Sequence, residues 1–232
     1  MIRYFPYSEL GQADFGWLQA RYHFSFSGYH HPERMGFGKL RVINDDRVAA
    51  GKGFAPHPHR DMEIITYVRS GAISHEDSVG NKGRTAAGDV QVMSAGSGVT
   101  HSGWNHENEP TTLYQIWIEP REKGVQPRWD ARAFPKAPVK NALPLLVSGH
   151  QTDAEKGALY IHADAAIYGG KLEAGSKLSH PLRQNAYLLI SEGEVKVNGH
   201  PFTKGDGAEV TDATEIHFEA LTPAEILVIE VS

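Results

Sequence analysis

The sequence predicts an all-β protein made of two tandem barrels with little helix, and three observations carry that expectation. Short runs rich in Val, Ile and Tyr recur at residues 39–43, 62–68, 90–93, 113–118, 159–161, 186–190, 194–197 and 225–231. Each is bounded by Gly, Asn, Asp or Pro, the texture of a sandwich or barrel. No segment sustains an amphipathic helical period beyond about three turns. The chain also echoes itself. Residues 66–71 end at Gly71, a turn follows at Gly80 and Asn81, and Ala87, Gly88 and Asp89 lead into the next strand; residues 189–193, then Asn198 and Gly199, then Lys204, Gly205 and Asp206 repeat the layout. Two copies of one hairpin-based unit explain both the echo and the length of 232 residues.

Between residues 119 and 144 the texture changes, with Pro120, Pro127, Pro135, Pro138 and Pro144 interrupting a polar run. Prolines at that density are excluded from central strands, so the segment reads as a connector or an edge wrap. The expected division is an N-terminal domain at 1–130, a connector at 131–145 and a C-terminal domain at 146–232. Hydrophobic residues at 40% and charged residues at 22% fit an ordinary globular chain. The net charge of −5 is spread without a basic stripe, which argues against direct nucleic-acid binding. Residues 1–19 lack the basic start and apolar run of a leader, and no 18-residue apolar segment exists to span a bilayer, so the expectation is a cytoplasmic protein. Cysteine is absent. Any metal must therefore be held by His and carboxylate.

Most of the thirteen histidines read as surface or core residues. His57 and His59 are different. They lie in Ala55-Pro56-His57-Pro58-His59-Arg60-Asp61-Met62-Glu63, where Pro56 and Pro58 favour extended backbone at the residues before them. Side chains two apart on an extended segment share one side, so both imidazoles can approach one ion. Downstream, Gly88-Asp89-Val90-Gln91-Val92-Met93-Ser94-Ala95-Gly96-Ser97-Gly98-Val99-Thr100-His101 supplies a third histidine and continues to Asn105.

The first stretch, with Glu63 and Gly71, resembles the first cupin motif, and the second resembles the second cupin motif, with Ser94 where that motif usually carries Pro. Longer strings resemble bacterial pirin-like proteins reported to act as quercetinases: His23-Phe24-Ser25-Phe26, residues 40–46, residues 57–63, His75-Glu76-Asp77-Ser78, residues 93–96 and Tyr114-Gln115-Ile116-Trp117. The likeness is specific over residues 1–130 and weak beyond. It implies a pair of cupin barrels, with one metal site on His57, His59 and His101. It also implies a flavonol 2,3-dioxygenase, in which quercetin and O2 give a depside and carbon monoxide. The implied ion is divalent, Fe(II) first, with Ni, Cu or Zn as alternatives that the ligand types do not separate. Glu63 is the expected base.

One position departs from the pattern. Where such proteins carry a Glu ligand two residues after the last His, this chain has Gly103. Water, Glu63, His106 and Glu107 are the candidates to replace it. The departure keeps a second reading open, a non-enzymatic metal-dependent sensor or interaction protein of the kind pirins form as transcriptional cofactors. His75, near Asp77, is read as an outer-face residue, with a place beside the cavity as the alternative. Phe24, Phe26, Phe37, Phe54 and Met93 are candidates to line a pocket for a flat aromatic substrate. The C-terminal half has no H-x-H pair with a matching Glu and is expected to hold no metal. Because two barrels can cover each other's open faces, the expected state is a monomer.

Overall fold

A computed structural model describes residues Met1–Ser232. It is almost entirely strand. One short helix, Gln151–Ala154, and a single 3-10 turn, Tyr7–Glu9, are the only helical elements. The strands form two seven-stranded and two four-stranded sheets. In the N-terminal barrel the large sheet runs Arg128–Arg132, Val90–Ser94, Glu63–Ser70, Thr111–Ile118, Leu40–Val48, Leu18–Tyr22 and Gly11–Asp14, and the small sheet runs Gly53–His59, Val99–Trp104, Ala72–Asp77 and Lys82–Ala86. In the C-terminal barrel, Asn185–Glu192, Ala224–Val231 and Ala165–Leu172 form the middle of the large sheet. Lys177–Pro181, Glu215–Ala220, Glu194–Val197 and His200–Thr203 form the small one.

The two large sheets pack face to face. Ile65, Tyr67, Val92, Tyr114 and Ile116 from one meet Val147, Ile167, Tyr187, Leu189 and Ile229 from the other in a single buried cluster of 22 residues. Strands covered on both faces need no polar alternation. That explains why Ala224–Val231 is buried at every position. Alternation along each strand then decides what faces the barrel interiors. In the C-terminal barrel the inward set, including Leu188, Ile190, Val195, Val197, Phe202, Ile226 and Val228, forms a second apolar cluster of 17 residues. The N-terminal interior is less filled, with three small clusters of three or four buried residues each. That leaves room for a site.

Two strands cross the expected domain limits. Ile2–Phe5 pairs with Gly207–Val210 at the edge of the C-terminal sheet. Arg128–Arg132 extends the N-terminal sheet at its edge beside Val90–Ser94, between Pro127 and Pro135, where edge position tolerates neighbouring prolines. At the other end of the chain, the carbonyl of Ser232 accepts a bond from the Lys39 amide at 2.9 Å. Arg34 ties the halves together from inside. Its Nε and Nη2 donate to the His23 carbonyl at 3.1 and 2.9 Å, and Nη2 also donates to the Tyr187 hydroxyl at 3.1 Å. Its Nη1 pairs with Glu209, and the guanidinium lies 3.5 Å from the centre of the Phe5 ring.

Candidate metal centre

His57 and His59 stand on Gly53–His59, and His101 on the neighbouring strand Val99–Trp104, directly opposite His57 in the antiparallel register. The period of two puts His57 and His59 on one side, and the register brings His101 alongside them, across from His57. Ring centres lie 4.8 Å apart for His57 and His59, 4.5 Å for His57 and His101, and 5.0 Å for His59 and His101. One nitrogen from each lies within 4.8 Å of the others. The pairing shifts between His101 and Gly103, a bulge that turns the strand at the site.

The donor chemistry suits a divalent ion. His57 Nδ1–H donates to the Ala55 carbonyl at 2.7 Å, which fixes the ring and leaves Nε2 free. Burial, with help from the neighbouring His57, pushes His59 down to about 4 and His101 down to about 3, so both present neutral imidazole lone pairs at neutral pH. His101 Nδ1 faces His75 Nδ1 at 3.5 Å, while His75 Nε2 faces Asp77 Oδ2 at 2.8 Å. With Asp77 accepting from Nε2–H, His75 Nδ1 is left to accept from His101, which points the lone pair of His101 Nε2 at the triad.

His75 is therefore not an outer-face residue. It is 2% exposed, and its ring stacks on Trp129 at 5.1 Å with planes 11° apart. The outward reading failed because the strand Ala72–Asp77 alternates with His75 on the barrel side, beside Ile73, which also lines the site cavity.

Three expected contributors stay out of the site. Glu63 is 1% exposed, but on Glu63–Ser70 it shares parity with Ile65 and Tyr67, which pack between the barrels; Ile64 and Thr66 face the cavity instead. Its Oε2 accepts from Ser94 Oγ at 2.8 Å, so the Ser that replaces the motif's Pro is its partner. Burial raises the Glu63 pKa, opposed by Ser94, by a backbone bond from His162 and by Arg128 and Arg121, all groups of the far face or the domain boundary. His106 is exposed and stacks beside Trp104, and Glu107 accepts from Arg84 Nε at 2.9 Å. Asn105 turns this segment away. Its Nδ2 donates to the carbonyls of Val48, Ala49 and Glu109, and its Oδ1 accepts from the Glu107 amide. At Gly103 an added Cβ would meet only Ile73, at 3.7 and 4.0 Å, which is ordinary contact.

An apolar cavity of about 300 Å³ opens beside the triad, lined by Trp17, Tyr22, Phe26, Phe54 and Trp117 with His57 and His59 at its edge. A smaller recess of about 40 Å³ lies behind His57 and His101, against His75, Met93 and Gly103. Of the expected aromatic lining, Phe26 and Phe54 are in the large cavity and Met93 in the recess; Phe24 and Phe37 belong to the core between the barrels. Sequence reading missed Asn44, Asp46 and Gln115, polar residues of the large cavity. The available signal was parity, since Asn44 and Asp46 share a side with Val42 and Val48 on the strand Leu40–Val48, whereas Ile43 packs between the barrels and Asp45 pairs with Arg69.

Comparison with known proteins agrees with this layout. Residues 6–118 match the Pirin family model, and residues 145–231 match the model of the quercetinase C-terminal cupin domain. A Pseudomonas aeruginosa protein, 51% identical over 234 residues and 100% of both chains, is provisionally named a quercetin 2,3-dioxygenase. An Escherichia coli K12 protein named quercetin 2,3-dioxygenase is 40% identical over 226 residues, covering 96% of this chain and 95% of its own. The crystal structure of the bacterial pirin YhhW from Escherichia coli in complex with nickel(II) superposes with a TM-score of 0.91 at 39% identity, covering 100% of this chain and 99% of that one. No helix is long and apolar enough to cross a membrane. With relatives this similar over nearly its whole length and both barrels matched, the chain belongs to the pirin family, a two-barrel cupin family whose members include metal-dependent dioxygenases.

Proposed function

We propose that this protein is a flavonol dioxygenase, opening the heterocycle of a compound such as quercetin with O2, and that His57, His59 and His101 hold its one divalent ion. The observation that carries the reading is the meeting of three imidazoles at the edge of an aromatic-walled cavity that suits a flat ring system. When bound, the ion supplies Lewis acidity toward an enolic hydroxyl and open positions for chemistry with O2. Iron(II) is the first expectation, and the nickel complex of YhhW makes nickel the alternative to test beside it. The chain's own residues bind and orient. Trp17, Tyr22, Phe26, Phe54 and Trp117 exclude water and hold the ring flat, while Ala55 and His75 fix the tautomers of His57 and His101.

If His75 sets the orientation of His101, His75→Ala weakens metal retention by about 10- to 100-fold, the usual cost of removing a partner of a ligating histidine. His75→Gln, which keeps a hydrogen-bonding side chain, recovers part of it. Competition with a chromogenic chelator measures both.

Gly103 is the observation that favours the second reading, a metal-dependent sensor or interaction protein, since three neutral imidazoles leave the ion's charge uncompensated. The deciding experiment is anaerobic metal analysis followed by aerobic bleaching of quercetin absorbance by wild type and Gly103→Glu. Because the Cβ space at 103 is open, the variant folds and binds the ion at least about tenfold more tightly through its added carboxylate. Turnover by metal-loaded wild type establishes the dioxygenase; turnover by Gly103→Glu alone replaces it with the sensor.

A further inference from the structure

The large cavity is apolar except along one wall, and there its polar atoms lack partners. Asp46 is 1% exposed and Asn44 is 3% exposed, yet Asp46 Oδ1, Asn44 Oδ1 and the indole Nε1 of Trp117 have no hydrogen-bond partner within the protein. All three residues line the cavity. Asp46 Oδ2 accepts from Gln115 Nε2 at 3.0 Å, so the carboxyl is fixed at one oxygen and free at the other. Buried polar atoms left unpaired are costly, and a few polar groups set in the wall of an otherwise apolar cavity are what orients a ligand bound there.

We infer that this wall is the seat of a ligand carbonyl, with Asp46 Oδ1 donating a hydrogen bond to the carbonyl oxygen of a planar aromatic ketone whose rings lie among Trp17, Tyr22, Phe26, Phe54 and Trp117. The inference rests on the dioxygenase reading for the ligand's ring system, and it names a binding residue that none of the motif positions supplies. Asp46 donates only when neutral. Its surroundings keep it so: burial, then the adjacent Asp45 charge, push its carboxyl up to about 8, against the opposing bond from Gln115. The other titratable groups facing it are Tyr22 on the adjacent strand, raised by burial and by Asp46 itself, and His57 and His59 at the cavity edge. Asp45 points to the opposite face, where it pairs with Arg69.

The test is equilibrium dialysis of the metal-free full chain with flavone, a planar ketone that has no titratable hydroxyl, between pH 7.5 and 9.5, above the ordinary imidazole range. Wild type is expected to lose affinity about tenfold for each pH unit above about 8, since only the neutral form binds. Asp46→Asn, whose amide donates at every pH, is expected to hold its affinity flat and within about threefold of wild type at pH 7.5. Gln115→Met, which removes the bond that favours the ionised carboxyl, is expected to move the wild-type midpoint upward, and it carries the test if Asp46→Asn does not fold. A flat wild-type profile, the same slope in Asp46→Asn, or no flavone binding overturns the inference. Quercetin turnover by the metal-loaded preparation separates the two readings. Turnover without the Asp46 profile leaves the dioxygenase standing and this inference lost, and the Asp46 profile without turnover does the reverse.

Discussion

His101→Ala is expected to strip the protein of tightly bound metal, with an affinity loss beyond the 100-fold upper end for removing only an orienting partner. Two geometric facts place the effect on binding rather than on folding. His101 is only partly buried, and its strand is held by backbone pairs on both sides, to Gly53–His59 and to Ala72–Asp77. His75 would lose its partner but keep Asp77 and the Trp129 ring. The metal-free variant should therefore melt within a few degrees of metal-free wild type while failing to hold stoichiometric metal through dialysis. Flavonol bleaching should vanish with the metal. Retained metal with unchanged affinity would remove His101 from the ligand set and leave two histidines, too few to fix an ion against chelators.

Arg34→Ala carries the largest expected effect on stability. The guanidinium is nearly buried and satisfies the His23 carbonyl, the Tyr187 hydroxyl and Glu209 together. Its removal leaves the Glu209 charge, itself mostly buried, without a partner, and breaking a buried pair from one side costs about 3–5 kcal/mol. Urea unfolding should show that loss as a lower midpoint with little change in slope. The penalty comes largely from the orphaned charge, so adding Glu209→Gln to Arg34→Ala should recover a substantial part of it. Equal destabilisation in the single and double variants would mean that packing against Phe5 and Phe24, not charge, makes Arg34 matter.

The sequence disclosed the barrels and the triad for the same reason: both depend on short-range spacing. Residues 62–68, 113–118 and 225–231 announce strands by composition, and the observed strands Glu63–Ser70, Thr111–Ile118 and Ala224–Val231 contain them, with only residue 62 left outside. His57 and His59 share a side because the backbone is extended. What stayed hidden depends on which sheet face meets which neighbour. Glu63 looked like a base because it holds the carboxylate position of the cupin motif the chain resembles, but one step of parity sends it between the barrels, to Ser94. The same rule brings Asp46 and His75 inward, although their neighbours in sequence, Asp45 and Glu76, point elsewhere. Ile2–Phe5 was not read as a strand at all. Its partner, Gly207–Val210, lies at the far end of the chain, and no local pattern reports a pairing over that separation.

That long-range pairing also sets an order of events. At translation rates of about 5–20 residues per second, the strand Ile2–Phe5 leaves the ribosome roughly 10–40 s before its partner exists. The N-terminal barrel can close during that interval, because its own strands lie between residues 11 and 132. The C-terminal barrel cannot finish its large sheet until Ile2–Phe5 comes back to it, and Ser232 docks on Lys39 of the first barrel. Assembly of the second barrel thus ends as a clasp around a first barrel that is already folded, with Ile2–Phe5 and Ser232 each held in the other's domain.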